Sequence, residues 1–276
     1  MDDSGTISRD DELSHWPTDE SGARAVQDRL RPHVRLDEAG PEPGFDGTVV
    51  GVDVAYDDAR DVVAAAAVAL DARTLAVLDQ ATAVGRISFP YVPGLLAFRE
   101  IPTVLAALDR LTRTPDLVVC DGYGQAHPRR FGLASHLGVL TGLPTIGVAK
   151  NPFTFTYEPP GEERGATSPL LDRTVADSLP ADGSHPADGS LPSDGSLPSD
   201  GAGPLPDRGA DPRPQEQEVG RALRTQRGVK PVFVSVGHRV SLDRACAHTL
   251  RLTPKYRLPE TTRAADALCR RALESA

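Results

Sequence analysis

Asp116–Lys150, DLVVCDGYGQAHPRRFGLASHLGVLTGLPTIGVAK, is the stretch whose reading decides the fold. Its apolar run Leu117-Val118-Val119-Cys120 follows a proline and is too short for a helix, which marks a buried strand. Asp121 stands at the carboxyl end of that strand, before Gly122-Tyr123-Gly124. Ligands and chemistry collect at strand ends in open α/β sheets, and glycines there let a substrate come close to the backbone. From His127 to Leu140 the apolar residues Phe131, Leu133, Ala134, Leu137 and Val139-Leu140 recur at three- and four-residue spacings. That predicts a helix entered at about His127, with Pro128 in its first turn. Gly142 and Pro144 stop it, and Thr145–Ala149 makes a second buried strand ending on Lys150. The unit is β-α-β, with an acid at one strand end and a lysine at the other.

A second acid stands upstream in an equivalent setting. Thr48–Tyr56, TVVGVDVAY, is a β-branched strand interrupted by Asp53. The bland reading is an edge-strand residue facing solvent, because a lone carboxylate among apolar neighbours is unfavourable to bury. Two such acids on neighbouring strands instead repel each other and call for a divalent cation between them. Asp61–Leu70 and Thr74–Val84 read as two further strands joined by a turn at Asp71-Ala72-Arg73. Three sequential antiparallel strands followed by β-α-β predict an α/β, ribonuclease H-like mixed sheet flanked by helices. An open Rossmann sheet is the alternative, but it alternates strand and helix from its start.

Five segments resemble the endonuclease V family of nucleases, enzymes that incise nucleic acid near deaminated adenine. They are GVDVAY at Gly51–Tyr56, PYVPGLLAFREIP at Pro90–Pro102, DGYGQAHPRRFGLASHLG at Asp121–Gly138, PTIGVAK at Pro144–Lys150 and VFVSVGHRVSLDRA at Val232–Ala245. YRLPETTRAAD at Tyr256–Asp266 is similar too. The resemblance runs in order from about Ala25 to the end of the chain, apart from one low-complexity interruption. It implies a DNA-repair endonuclease that hydrolyses the second phosphodiester bond 3′ to deoxyinosine, leaving 3′-hydroxyl and 5′-phosphate ends. An inosine-specific endoribonuclease, or a non-catalytic nucleic-acid-binding module on the same fold, are the alternatives.

The resemblance also implies a site. Asp53 and Asp121 would bind Mg²⁺, replaceable by Mn²⁺, with Glu100 as third carboxylate, directly or through water. Hard oxygen ligands suit that ion. Lys150 would supply fixed positive charge at the phosphate, and His238 would orient the attacking water or act as acid/base. Phe89–Gly94 carries two prolines around an aromatic and a valine. It reads either as a packed loop or as an apolar wedge that unstacks bases. By resemblance it is the family's wedge, with Tyr91 at the tip beside Pro90, Val92 and Pro93. Gly122, Gly124 and Leu143 would line the pocket for a flipped hypoxanthine, with His127 as a buttress. Arg129 is a candidate for backbone phosphates or a solvated helix charge, and His136 reads as packing.

Composition bounds the rest. The chain has 276 residues, no apolar run long enough for a membrane span and an acidic, polar N-terminus, so a cytoplasmic monomer is expected. Cys120, Cys246 and Cys269 lack a metal-binding spacing and read as buried free thiols. A formal charge of −9 with only three lysines is unusual for a nuclease. An acidic, arginine-for-lysine surface suits concentrated salt, where phosphate repulsion is screened within ~3 Å at 1 M, and a halophilic, archaeal source is expected. Residues 1–20 read as a disordered acidic tail, and 21–276 as one nuclease domain. Degenerate hexads from Ala181 to Pro204 interrupt it within a disordered insertion at about 172–217. A helix is predicted over Thr18–Leu30. Another, from Leu95, should break or bend near Pro102. Strands are expected at Glu218–Thr225 and Pro231–Val236, then a helix capped by Ser241. A last helix should start near Thr261–Thr262, with Ala264, Ala267 and Leu268 inward.

Overall fold

In the computed structural model, which describes residues 7–172 and 217–276, one eight-stranded sheet has the order β3-β2-β1-β4-β5-β8-β7-β6. The strands are β1 (Thr48–Asp57), β2 (Val62–Asp71), β3 (Val77–Arg86), β4 (Leu117–Asp121), β5 (Thr145–Ala149), β6 (Thr167–Asp172), β7 (Gln217–Leu223) and β8 (Val232–His238). β1 pairs antiparallel with β2 and parallel with β4, β5 lies parallel to β4, and β8 returns antiparallel along β5. This is the ribonuclease H-like arrangement. The hexad segment lies outside the described residues.

Both faces of the sheet are covered. In β2 the run Val63–Leu70 is buried throughout, and its side chains alternate between two cores. Ala65, Ala67 and Ala69 face the core beneath α2 (Glu20–Leu30), α3 (Ala97–Leu108) and α4 (Leu133–Thr141). Ala66, Val68 and Leu70 face the core beneath α5 (Leu242–Leu252) and α6 (Glu260–Glu274). Such strict alternation, with both sets apolar, is what a strand between two helical layers requires. At Gly51 a Cβ would lie 2.3 Å from the Thr261 carbonyl carbon, so α6 seats its first turn directly on β1. Ser241 caps α5 through its hydroxyl, which accepts the Arg244 N–H. Among the described residues no helix is long and apolar enough to cross a membrane.

The structure corrects four local expectations. The tail is ordered from residue 7 onward: α1 (Arg9–Ser14) forms and Trp16 packs 5.3 Å from Phe98, ring centre to ring centre. Arg29 pairs with Glu12, and Arg9 with Asp109 at 2.7 Å, which holds this segment down. Pro102 neither breaks nor ends α3, which runs unbroken from Ala97 to Leu108. A proline leaves the carbonyl four residues earlier without its helical donor. That carbonyl is Phe98, and the Trp16 indole N–H donates to it at 2.9 Å. Nothing local in FREIP announces a donor eighty residues away.

The helix expected from His127 starts at Leu133 instead. Residues 127–132 form a tight loop, in which the Arg130 N–H donates to the His127 carbonyl and Gly132 N–H to that of Gly124. In α6 the buried residues are Thr261, Thr262, Ala265 and Cys269, while Ala267 is exposed. The buried arc is centred about one residue further on, so Ala264 and Leu268 pack at its margin as expected and Ala267 faces out.

His136 lies between Trp16, Phe98 and Phe131, and neither ring nitrogen has a partner among the described residues. Burial pushes its pKa down to about 3, with Arg29 adding to the effect. Since an unfolded histidine titrates near ~6.5, the unfolded state takes up the proton first. Stability is therefore whole above that pH and falls as pH drops toward the folded value. A replacement by Phe removes this dependence, worth about 2–3 kcal/mol by pH 4.5. Thermal melts from pH 7 to 4.5 should show a shallower acid limb for His136→Phe than for the natural chain.

Candidate active site

The carboxyl ends of β4 and β5 and the middle of β1 meet at one end of the sheet. Their parallel register aligns Asp121 with Val148 and Val52 with Cys120, which sets Asp53, Asp121 and Lys150 side by side. Lys150 donates its ammonium to Asp121 Oδ2 at 2.5 Å. Asp53 Oδ1 accepts the N–H of Val54 at 2.8 Å. Glu100, one turn into α3 and only 5% exposed, comes from the face above and accepts the Tyr56 hydroxyl at 2.8 Å.

Electrostatics binds these acids into one group. Burial raises the Asp53 carboxyl to about 7, with the nearby charge of Asp121 adding to it. Burial raises Glu100 to about 8, and Asp53 and Asp121 push it further against the opposing Tyr56 hydrogen bond. Burial works against the charge on Lys150, but the Asp121 hydrogen bond and the surrounding acids raise its pKa on balance. Two buried carboxyls raised this far, beside a further acid, call for added positive charge when they ionise. As they stand, no three acidic, histidine or cysteine side chains among the described residues are placed to hold a metal ion together. The donor set is nevertheless all carboxylate oxygen, which fits a hard divalent cation. Such an ion would need Asp121 to share its contact with Lys150 and the other acids to turn inward.

A fourth acid belongs to this group and was not foreseen. Asp266, on α6, raises the pKa of both Asp53 and Lys150, so it stands on their side of the sheet end. It closes the quoted motif YRLPETTRAAD, and it follows Thr262 by one helical turn on the flank that meets β1. Reading the helix one residue out of phase hid it.

Beside the acids lies a cavity of about 320 Å³ on the α3/α4 face. Glu100, Asp121 and Gly122 form its rim with Tyr91, Val92 and Pro93, and aromatic rings fill its wall. Phe153 was not anticipated: it follows Lys150 in an aperiodic loop, and its ring meets Tyr123 edge-on at 5.4 Å. Gly122 adopts φ +149°, a conformation that glycine takes readily and that puts no side chain at the mouth. His127 is buried against Gly94 and Phe153, its Nδ1 accepting the Arg129 N–H at 3.2 Å. Tyr91, 70% exposed, projects from the rim between exposed Pro90 and Pro93. Arg99 lies 4.8 Å from the Tyr56 ring centre and 6.0 Å from that of Tyr91, and it pairs with Asp58 at 2.6 Å.

Four residues expected at the site are elsewhere. His238 pairs with Thr145 at the start of β5, five residues from Lys150, or about 16 Å along a strand. Its Nδ1 accepts the Arg35 N–H at 3.2 Å, so it anchors the segment after α2 at the opposite sheet end. The antiparallel return of β8 is the reason, since its carboxyl end lies at the amino end of β5. Leu143 precedes β5 and lines a separate cavity with Leu105, Leu108 and Pro115, for the same reason. Gly124 packs on β8: a Cβ there would fall 2.0 Å from the Val236 carbonyl oxygen. Arg129 turns to α2, pairing with Asp28 at 2.7 Å and donating to the Arg24 carbonyl.

Comparisons with known proteins give the family and the fold. A family model described as Endonuclease V matches residues 28–180 and 208–267. The chain is 66% identical over 261 residues to Endonuclease V of Streptomyces avermitilis, covering 95% of each. A crystal structure of the Endonuclease V from Streptomyces avermitilis matches with a TM-score of 0.77 at 65% identity, covering 95% of this chain and 96% of that one. Endonuclease V of Ciona intestinalis, solved with a 24mer DNA containing an inosine followed by a ribo-adenosine, matches with a TM-score of 0.63 at 24% identity. It covers 92% of this chain and 98% of that one. The Streptomyces likeness lends nothing to the expected halophilic archaeal source. The arginines have structural work instead: Arg224 donates to the carbonyls of Pro160 and Gly161, and Arg251 to those of Ala72 and Arg73. A guanidinium's several fixed donors suit that role better than an ammonium.

Proposed function

The chain belongs to the endonuclease V family, nucleases that cleave near deoxyinosine, and from that premise we propose the residues and the ion by which it does so. A divalent cation, Mg²⁺ or Mn²⁺, is held by Asp53 and Asp121 with help from Glu100 and Asp266. The observation that carries this is the gathering of Asp53, Asp121 and Lys150 side by side at one end of the sheet beneath the buried Glu100, whose carboxyl is raised to about 8 by burial, Asp53 and Asp121. When bound, such an ion supplies a nucleophilic hydroxide, neutralises phosphoryl oxygens and stabilises the leaving 3′ oxygen. Lys150 keeps its proton among these acids and presents a positive charge to the phosphate. Tyr91 fills the gap left by a flipped nucleotide, and the cavity walled by Tyr123, Phe131 and Phe153 receives the base. Incision falls at the second phosphodiester bond 3′ to the lesion.

The test is direct. A 5′-labelled strand with one deoxyinosine should give a single Mg²⁺-dependent product, one nucleotide longer than the strand up to the lesion. No incision in the presence of metal, or cleavage indifferent to the lesion, would end the reading. The relative from Ciona intestinalis is bound to DNA with a ribonucleotide after the inosine, which favours a second reading as an inosine-directed endoribonuclease. Competition between deoxyinosine and inosine strands decides between them, because the 2′-hydroxyl is all that separates the two.

Two further outcomes follow from the site. Raised carboxyls oppose folding when they ionise: their stability is whole below the unfolded pKa near ~4.5 and is lost as pH rises through about 7 to 8. A bound cation relieves that loss. The Tm gain on adding Mg²⁺ should therefore be larger at pH 8.5 than at pH 6, as scanning calorimetry would show. His238→Asn keeps an acceptor for Arg35 and leaves the sheet end that carries the acids untouched. Its incision rate should stay within about threefold of the natural chain, against the ~10²–10⁴-fold loss expected of a general acid or base.

A further inference from the structure

The chain has three lysines against 39 acidic residues, and one side chain holds the backbone of two of them while standing two residues after the third. Arg257 donates to the carbonyls of Lys150 at 2.5 Å, Pro231 at 2.8 Å and Lys230 at 2.9 Å. The end of β5 and the entry to β8 are thus tied to a single guanidinium. Two residues before it, the Lys255 ammonium lies 5.2 Å from the centre of the Tyr256 ring. Arg263, in the first turn of α6, covers the same ring at 3.6 Å. Arg263 shares its charge with Glu260 at 2.8 Å, and Lys150 shares its own with Asp121. Lys230 and Lys255 are exposed, and neither makes an ion pair among the described residues. Tyr256 is 41% exposed between its cations. In a chain of formal charge −9, Lys230 and Lys255 are thus two exposed cations beside an exposed ring.

Their position gives them a meaning. The cavity and Tyr91 lie on the α3/α4 face of the sheet, whereas Tyr256 leads into α6 on the opposite face. Asp53, Asp121 and Lys150 stand between them at the strand ends. A strand whose base enters the cavity, and whose phosphate lies at the acids, must leave toward the α6 face. Exposed amines spaced along a backbone take phosphates, and an exposed ring beside them takes a base or sugar. We propose that Lys230, Lys255 and Tyr256 form a track for the nucleic-acid strand 3′ of the incision, the part released with the 5′-phosphate. The direction of the strand rests on the function proposed above; the binding of a phosphodiester backbone does not.

The test uses the full chain with Lys230→Gln and Lys255→Gln combined, and separately with Tyr256→Ala. All three side chains are exposed, and unchanged melting confirms the fold. On a deoxyinosine strand with a long 3′ flank, the double variant should raise KM about tenfold while kcat stays within twofold. Its affinity should fall less steeply with salt, by about 1.4–1.8 in the log–log slope for two lost phosphate contacts. Trimming the 3′ flank to a single nucleotide beyond the scissile bond should abolish the difference between variant and natural chain, and trimming the 5′ flank should preserve it. The reverse pattern, or a loss that survives 3′ trimming, would overturn the proposed direction. Binding to an undamaged strand, measured without metal, separates this proposal from the function. Weaker binding with a flatter salt slope supports the track even if inosine is not the lesion read. An unchanged Kd and slope there would remove the track altogether.

Discussion

Asp121→Ala should lower incision by about a thousandfold or more while leaving binding to a deoxyinosine strand measurable. The ion's contribution to phosphate cleavage amounts to several kcal/mol, and each ~1.4 kcal/mol is tenfold in rate. The same substitution frees Lys150 from its contact at 2.5 Å, so the phosphate would keep a cation while the proposed metal site loses a ligand. The proposed base site is lined by Tyr91, Tyr123 and Phe153, none of which is altered. Asp53→Asn should lose activity to a similar degree, and its melting behaviour provides a second check. Because burial and Asp121 raise the Asp53 carboxyl to about 7, its ionised form opposes folding above that pH. The amide should therefore raise Tm at pH 8 in the absence of metal and abolish most of the gain that Mg²⁺ brings. Full Mg²⁺-dependent turnover by either variant would remove these acids from the site. A lower Tm for Asp53→Asn at pH 8 would show that Asp53 is paired rather than repelled.

The largest effect on stability is expected at Trp16. Its ring packs 5.3 Å from Phe98 and stacks 5.5 Å from His136, while its N–H supplies the donor that Pro102 cannot. Replacing a large aromatic by Ala costs about 3–5 kcal/mol when it is buried. Trp16 is only partly buried, so about 3 kcal/mol is expected for Trp16→Ala, a Tm lower by about 6–12 °C for a domain of this size. Trp16→Phe separates the two roles. It keeps most of the packing but leaves the Phe98 carbonyl without a donor, which costs about 1–3 kcal/mol. Chemical denaturation of both variants gives the comparison. Equal stability of Trp16→Phe and the natural chain would show that the carbonyl needs no partner.

What the sequence disclosed and what it hid divide along one physical line. Strands announce themselves locally through apolar runs and turns, so β1, β2, β4 and β5 were legible, with Asp53 inside β1 and Asp121 and Lys150 at the ends of β4 and β5. The motif PYVPG likewise placed Tyr91 on an exposed loop. Facts that depend on strand direction or on distant partners were not legible. His238 and Leu143 sit in segments that resemble the family as well as Asp121 does, yet β8 and the entry to β5 carry them to the far end of the sheet. Pro102 looked like a break because its remedy lies in Trp16. Phe153 has no periodic neighbours to mark it, and Asp266 was concealed by one residue of helical phase.

The seat of α6 on Gly51 governs when the site can exist. Residue 51 and its neighbour Asp53 belong to the first strand, whereas Thr261 and Asp266 belong to the last helix. β1 can zip onto β2 early, through a short connection, but its fourth carboxylate must wait for nearly the whole chain to close behind it. Contacts of such sequence separation are made late, since loop-closure entropy is lost before they return anything. During refolding, recovery of the sheet should run ahead of recovery of incision. A chain with its sheet formed and α6 still loose is a folded intermediate whose cutting edge has not yet been assembled.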